Sequence, residues 1–148
     1  MWTDHEKTER KIWGILGLHR LSSLQTYGEN LNMEKLHDRD IREPLFEFLE
    51  ETYGRIRILE EKNMGKSRAD IVMVTPEYLY GIEIKSDADT YARLARQVKD
   101  YDSYYDYNIV VVGSSHALHI EEQVPNYWGI TTVEVIENCF DFYILRKA

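Results

Sequence analysis

The order of apolar and polar positions predicts a helix, three strands, a helix, a strand, a short helix and two strands. The first of these helices begins at Asp38 or Asp40 and ends at Gly54, with apolar residues at helical spacing. Short apolar or alternating runs then predict the strands, since such runs are about four to eight residues long. This alternation of elements is typical of an α/β fold, with a mixed central sheet flanked by helices.

The middle of this pattern is a predicted β-hairpin that brings charged residues together. An apolar run at 72–74 is followed by a turn, and residues 78–85 then alternate in polarity. The alternation places Glu83 and Lys85 on one face, roughly 7 Å apart. Pairing of the two strands brings Asp70 near the same edge. The hairpin therefore predicts two carboxylates and one ammonium group at one spot.

The helix predicted after the hairpin, from about Asp87 to Asp106, has an apolar face and a polar edge. Leu94 and Val98 recur at helical spacing and are expected to pack on the sheet. Arg93, Gln97 and Tyr101 lie at i, i+4 and i+8 and form a second stripe along one edge.

Charge limits the function classes that fit. The chain has 148 residues and a net charge of −8, whereas proteins that hold phosphates normally show a basic surface. A role on nucleic acid therefore needs a local basic patch or a bound metal ion. The patch adjacent to the hairpin consists of Lys62, Lys66 and Arg68.

The remaining composition indicates a cytoplasmic protein. Cys139 is the single cysteine, which excludes an internal disulfide and a cysteine-type zinc site. No apolar run approaches the roughly 18 residues of a membrane helix, so no membrane partner is expected. The charged N-terminus lacks the apolar segment of a secretory signal.

The chain divides into two predicted regions. Residues 1–37 read as a helical extension that begins with a capping box at 3–6 and carries no chemical signature. Core packing or self-association is its expected role. Residues 38–148 carry the strands and the charged hairpin, and the two regions are expected to form one compact unit.

The charged hairpin suits a hard divalent cation. Mg²⁺ takes oxygen ligands, and the two carboxylates with the main-chain carbonyl of Ile84 supply them. Such an ion supports phosphodiester hydrolysis. Lys85 would steer water, stabilise the transition state or act as a base, and the residues alone leave these roles open. The alternative is that Glu83 and Lys85 form an ordinary solvated strand face.

Three segments resemble the motifs of the PD-(D/E)xK nuclease superfamily: Arg68-Ala69-Asp70, Glu83-Ile84-Lys85-Ser86 and Gln97-x-x-x-Tyr101. The last resembles the RecB-like branch, and residues 38–135 are similar to a group of small bacterial and phage proteins in that superfamily. Ala69 stands where the nominal motif has proline. The resemblance implies a restriction-endonuclease-like αβββαβ core, Mg²⁺ or Mn²⁺ as cofactor, and cleavage of DNA.

The same resemblance implies a role for each matching residue. Asp70 and Glu83 would bind the metal together with the Ile84 carbonyl, Lys85 would position the water, and Gln97 would orient a site group or contact a phosphate. Supporting positions are Tyr101, Arg93 and His116. A further acidic ligand is expected from the first helix or the first strand, the candidates being Glu43, Glu47, Glu60 and Glu61.

The resulting hypothesis is a metal-dependent nuclease, of endonuclease or exonuclease type, that hydrolyses DNA with an activated water. Its catalytic residues would be Asp70, Glu83, Lys85 and Gln97. Cutting both strands at one locus requires a homodimer or two visits. The alternative is a nuclease-fold protein of weak or no activity that acts as a binding or regulatory module, which suits the acidic charge. RNA as substrate and exonuclease action also stay open.

Overall fold

The computed structural model describes residues 36–86 and 89–148 and confirms the predicted α/β fold. The predicted extension at 1–37 lies outside these residues except for its last two. The elements in chain order are α1 (Asp38–Tyr53), β1 (Arg57–Met64), β2 (Ser67–Val74), β3 (Leu79–Lys85), α2 (Leu94–Tyr104), β4 (Tyr107–Gly113), a 3₁₀ turn (Ser114–His116), α3 (Ala117–Gln123), β5 (Gly129–Ile136) and β6 (Cys139–Arg146). The first six elements follow the expected αβββαβ order.

The six strands form one mixed sheet whose spatial order equals their order in the chain. The β1–β2, β2–β3 and β5–β6 pairs are antiparallel, and the β3–β4 and β4–β5 pairs are parallel. Parallel neighbours need a crossover connection, and α2 and α3 supply the two crossovers. Lys85 pairs with Val112, so β3 and β4 end at the same edge of the sheet.

Apolar side chains cover both faces of the sheet. On one face, α1 contributes Ile41, Leu45 and other buried residues to a cluster that includes Ile82 and Ile84. On the other face, Leu94 and Tyr101 of α2 belong to a second cluster. The apolar stripe of each helix explains this layering. None of the helices in the described part of the chain is long and apolar enough to cross a bilayer.

The alternation predicted for β3 is confirmed, with one difference. Ile82 and Ile84 face α1, and Glu83 and Lys85 point to the opposite face. That face is not open to solvent, because Glu83 is only 3% exposed and Lys85 only 8%. The two charged residues therefore lie inside the molecule.

The helix boundaries agree with the prediction in one case and differ in the other. Gly54 ends α1 with a φ of 78° and donates its N–H to the Glu50 carbonyl at 2.9 Å. By contrast, the predicted start of α2 at Asp87 is wrong, since this helix begins at Leu94. The Asp89 carboxylate instead accepts hydrogen bonds from the N–H and the hydroxyl of Ser86, which closes a turn before the helix.

The β1–β2 ladder is irregular at Asp70. Pairing holds on either side of Glu61 and Asp70, but the register skips these two residues. Glu61 has a φ of 54°, which is uncommon for a residue other than glycine. Ala69 and Val72 both belong to the second cluster although they are three positions apart, so the regular alternation of β2 changes at Asp70. The β1–β2 ladder is therefore interrupted where the candidate site begins.

Candidate active site

A buried tyrosine lies where β2 and β3 separate. Their pairing ends at Ile71 and Ile82, and the Tyr101 hydroxyl occupies the next position between the strands. It accepts the N–H of Asp70 at 3.2 Å and lies 3.1 Å from the Ile82 carbonyl oxygen. The hydroxyl thus bridges the two backbones at the point where their pairing ends. Beyond this hydroxyl the two strands are no longer paired, and the candidate site lies between them.

Glu83, Lys85 and Gln97 form a closed network beside this tyrosine. The Lys85 Nζ atom is 3.2 Å from Glu83 Oε1 and donates to Gln97 Oε1 at 3.1 Å. Gln97 Nε2 donates to Glu83 Oε1 at 2.8 Å, and the Tyr101 hydroxyl is 2.5 Å from Glu83 Oε2. Burial of these charges is tolerable because each is paired and hydrogen-bonded. The network fixes the positions of both charged groups.

Asp70 lies on β2, at the interruption of the β1–β2 ladder. Its Oδ2 accepts the N–H of Ile84 at 2.8 Å. Burial and, after it, the negative charge of Glu83 raise the pKa of Asp70 to about 8, although the hydrogen bond from Ile84 lowers it. Asp70 and Glu83 therefore repel each other across the gap between the strands, and a cation there would relieve the repulsion.

The oxygen atoms at this gap fit a hard divalent ion. Asp70 Oδ1 receives no hydrogen bond from the described residues, so it has capacity for a ligand. Ile84 is beyond the last β2–β3 pair and directs its N–H to Asp70. In a strand the carbonyl of a residue lies on the same edge as its N–H. Asp70, Glu83 and this carbonyl present the all-oxygen set that Mg²⁺ prefers.

No third acidic ligand from the described part of the chain joins them. The side chains of Glu43 and Glu47 are exposed on α1 and make no hydrogen bond or ion pair with the described residues. Glu60 and Glu61 are bound by Arg42. Within residues 36–86 and 89–148, no group of three or more His, Cys, Asp or Glu side chains could hold a metal ion. Among the described residues the site offers two carboxylates, and the third acidic ligand that the resemblance implies stays a prediction.

Arg42 was not among the predicted site residues. Its guanidinium donates to the Asp38 carboxylate at 2.6 and 3.0 Å, to Glu60 at 3.2 Å and to Glu61 at 2.6 Å. It also donates to the Asp70 carbonyl at 3.3 Å and lies 3.7 Å from Asp70 Oδ1. The hydrogen bond to Asp38 raises the pKa of Arg42 above its ordinary value, which is already high, so the guanidinium stays charged. The i, i+4 spacing from Asp38 was visible in the sequence, but the reach to β2 was not.

The predicted basic patch is at the tip of the β1–β2 hairpin. Lys62, Lys66 and Arg68 are all exposed. Arg68 Nε lies 2.7 Å from Glu61 Oε2, so part of its charge is compensated. The patch faces solvent, and its role in binding nucleic acid stays a prediction.

Two supporting candidates lie at the margin of the site. Arg93 is exposed and precedes Gln97 by one turn, and its carbonyl accepts the Gln97 N–H at 3.1 Å. His116 ends the 3₁₀ turn that follows β4, at the edge of the sheet where β3 ends with Lys85. Their placement near the site leaves their supporting roles as predictions.

The fold and the site together define an α/β protein with a buried acid–lysine–glutamine network at the end of a divided hairpin. Residues 31–148 match the family model of bacteriophage P4 protein cII, and the chain belongs to that family. The family description specifies no reaction. No curated protein and no solved structure matches the chain. Membership of the PD-(D/E)xK superfamily therefore stays a prediction.

Proposed function

We propose that this protein is a metal-dependent nuclease that hydrolyses DNA phosphodiester bonds in the cytoplasm. The observation that carries the proposal is the buried contact of Lys85 with Glu83 and Gln97, beside the partly buried carboxylate of Asp70. Charged side chains are almost never fully buried unless they are paired. Arrangements that hold such groups at a considerable desolvation cost are concentrated at functional sites.

The metal ion would be held by Asp70, Glu83 and the Ile84 carbonyl. When bound, Mg²⁺ or Mn²⁺ would stabilise the negative charge that develops on a phosphoryl oxygen. Ligands of this kind must be deprotonated, so the affinity for the ion is expected to rise as the pH approaches and passes the raised pKa of Asp70, about 8.

Lys85 is the residue of this chain best suited to hold the attacking water or a phosphate oxygen. An ammonium group has three donors, and the contacts to Glu83 and Gln97 use two of them. Gln97 bonds to both charged partners and so sets the direction of the third donor. Tyr101 fixes Glu83 from the other side. The roles of Gln97 and Tyr101 are to hold this geometry.

The test is an assay of cleavage with purified protein and either Mg²⁺ or Mn²⁺. Lys85→Ala is expected to reduce cleavage roughly 100-fold or more, because it removes a buried positive charge from the reacting centre. Lys99→Ala is the matched control, since Lys99 is an exposed lysine on the same helix as Gln97. Equal cleavage by wild type and Lys85→Ala would reject the site.

The substrates of this assay are chosen to separate the open alternatives. Linear and circular double-stranded DNA, single-stranded DNA and RNA are compared under the same conditions. Cleavage of circular DNA identifies an endonuclease, since an exonuclease needs an end. Cleavage of both strands at one locus, with a rate that rises with the square of protein concentration, would support a homodimer.

A binding or regulatory module is the second candidate. It is favoured by the occupation of Glu83, whose two carboxylate oxygens are both engaged by side chains of the chain, and by the net charge of −8. The two candidates differ in their response to metal. A working metal site gains thermal stability with Mn²⁺ by mass action, and Asp70→Asn abolishes the gain. A wild-type protein that does not respond to Mn²⁺ would favour the module.

A further inference from the structure

We infer that Arg42 is a built-in counter-ion of the site, whose fixed positive charge beside Asp70 competes with a divalent ion and limits its affinity. The inference rests on the proposed function, because it concerns the metal site proposed there. It adds a residue of α1 that controls how much metal the site retains.

The position of Arg42 supports a direct electrostatic effect on Asp70. Its guanidinium is 3.7 Å from Oδ1, the carboxylate oxygen to which no described residue donates a hydrogen bond. The Arg42 side chain is only 15% exposed and that of Asp70 18%, so solvent and salt screen this pair weakly. A divalent ion that binds at Oδ1 would therefore experience the repulsion of a nearby positive charge.

The hydrogen bonds of Arg42 keep that charge in place. An arginine side chain has five N–H donors. Here they are directed to Asp38 twice, to Glu60, to Glu61 and to the Asp70 carbonyl. No donor remains for a substrate phosphate, so Arg42 is not a phosphate ligand. Four of the five bonds go to side chains outside the proposed ligand set, so binding of an ion would leave Arg42 anchored.

Arg42 also neutralises the acids that surround it. Asp38, Glu60 and Glu61 each form an ion pair with the guanidinium, which itself lies 3.7 Å from Asp70 Oδ1. Without Arg42 these carboxylates would add to the negative potential at the site. Removal of the Arg42 charge would therefore act in two ways. It would end the repulsion of a bound cation and leave the neighbouring carboxylates uncompensated, and both changes increase the affinity for a divalent ion.

The experiment compares Mn²⁺ affinity in wild type and Arg42→Gln, from the free Mn²⁺ signal in electron paramagnetic resonance. Arg42→Gln is expected to bind Mn²⁺ roughly threefold or more tightly, while a purely structural role would predict weaker binding. Arg68→Gln is the matched control. Arg68 pairs with the same Glu61 at 2.7 Å, but its side chain is 63% exposed, and the arginine that forms an ion pair with Asp70 is Arg42. Its loss is expected to change the affinity less than twofold, as a rough estimate for a screened surface charge.

The outcomes separate this inference from the proposed function. Wild type that binds Mn²⁺ with Arg42→Gln equal or weaker would overturn the inference and leave the metal site intact. No binding by either protein would overturn both. Tighter binding by Arg42→Gln, with Arg42→Lys close to wild type, would support a charge effect.

A second measurement uses the wild-type protein and does not depend on the folding of a variant. Mg²⁺ is titrated while the Arg42 Nε–H and the Gln97 side-chain amide are followed by nuclear magnetic resonance. Both signals are expected to shift with the same midpoint, because the two side chains flank the bound ion. Movement of the Gln97 signal without the Arg42 signal would overturn the role of Arg42 but retain the site.

Discussion

The two ends of the β2–β3 hairpin differ in what they bury. At the turn end, the ladder is complete from Ile71–Ile82 to Val74–Leu79, and the tyrosine rings beside it are partly exposed. Tyr78 is 43% exposed and Tyr107 37% exposed, with ring centroids 5.2 Å apart. At the open end, the backbone pairing is broken and the side chains that replace it are buried. Backbone pairing between β2 and β3 therefore holds the hairpin together at its turn end, whereas side chains of α2 hold it together at the open end.

This difference shows how the site is held. At the turn end, backbone hydrogen bonds and ring contacts suffice, and the polar groups remain in water. At the open end, Tyr101, Gln97 and Glu83 must satisfy one another, since unpaired buried polar groups are costly. Substitutions at the open end should therefore have larger effects than the same substitutions at the turn end.

The largest effect on stability is expected for Gly81→Val, between the two ends. A Cβ at Gly81 would lie 2.5 Å from the Tyr101 ring and 2.6 Å from Asn108 Oδ1, closer than atoms can pack. We expect a loss of about 3 kcal/mol in the free energy of unfolding, measured by urea denaturation. Leu79→Val, at a 39% exposed position of the same strand, is expected to cost under about 0.5 kcal/mol. Similar losses for both would contradict the close packing of Tyr101 on Gly81.

Tyr101→Phe is expected to have the next largest effect. It removes a hydroxyl that bonds to Asp70, Ile82 and Glu83, and leaves these buried groups unsatisfied. The expected cost is about 1–3 kcal/mol in the free energy of unfolding.

Tyr107→Phe makes the same chemical change at the turn end, where water replaces the lost hydroxyl contacts. A change within about 0.5 kcal/mol is expected there. If the two tyrosine variants were equally stable, the bridging role of the Tyr101 hydroxyl would be refuted.

A smaller, pH-dependent effect is expected for Asp70→Asn. In the unfolded chain Asp70 titrates at its ordinary pKa, about 3.9, whereas in the folded protein its pKa is about 8. Between these values the folded state binds more protons, so stability falls as the pH rises. Measured without metal, the melting temperature of Asp70→Asn relative to wild type should be roughly 3–8 °C higher at pH 9 than at pH 5.

The control for this pH dependence is Asp106→Asn. Asp106 accepts the N–H of Leu79 at 2.8 Å at the turn end of the hairpin, so it reports the general effect of an acid-to-amide change. A melting-temperature difference for Asp70→Asn that is the same at pH 5 and pH 9 would show that the buried charge does not lower the stability.

Much of the fold and part of the site followed from local spacing. The two-residue period of β3 predicted that Glu83 and Lys85 share a face, and the four-residue spacing of α2 predicted that Gln97 and Tyr101 share an edge. These rules are local, so tertiary packing did not alter them. The placement of Glu83 and Lys85 near Asp70 followed from the hairpin, whose turn the sequence marked clearly.

The rest depended on contacts between distant elements. Ile41 and Leu45 determine the rotation of α1 on the sheet, and this rotation directs Arg42, not Glu43 or Glu47, toward Asp70. The spacing of residues along a helix does not by itself specify which strand the polar edge of that helix contacts. The burial of Lys85 was likewise unforeseen, because alternation predicts a face of the sheet but not whether a helix covers it.

The order of the strands has a consequence for how the chain folds. Each strand of the sheet pairs with the one before it in the chain, so every new strand can add to an existing edge without rearrangement. Contacts between consecutive elements have a low entropic cost of closure and favour early folding. We therefore expect amides of the β2–β3 ladder to gain protection before those of β6 in pulsed hydrogen exchange, and the reverse order would refute this. During synthesis, the two carboxylates would then meet before the segment that supplies their glutamine and tyrosine partners has left the ribosome.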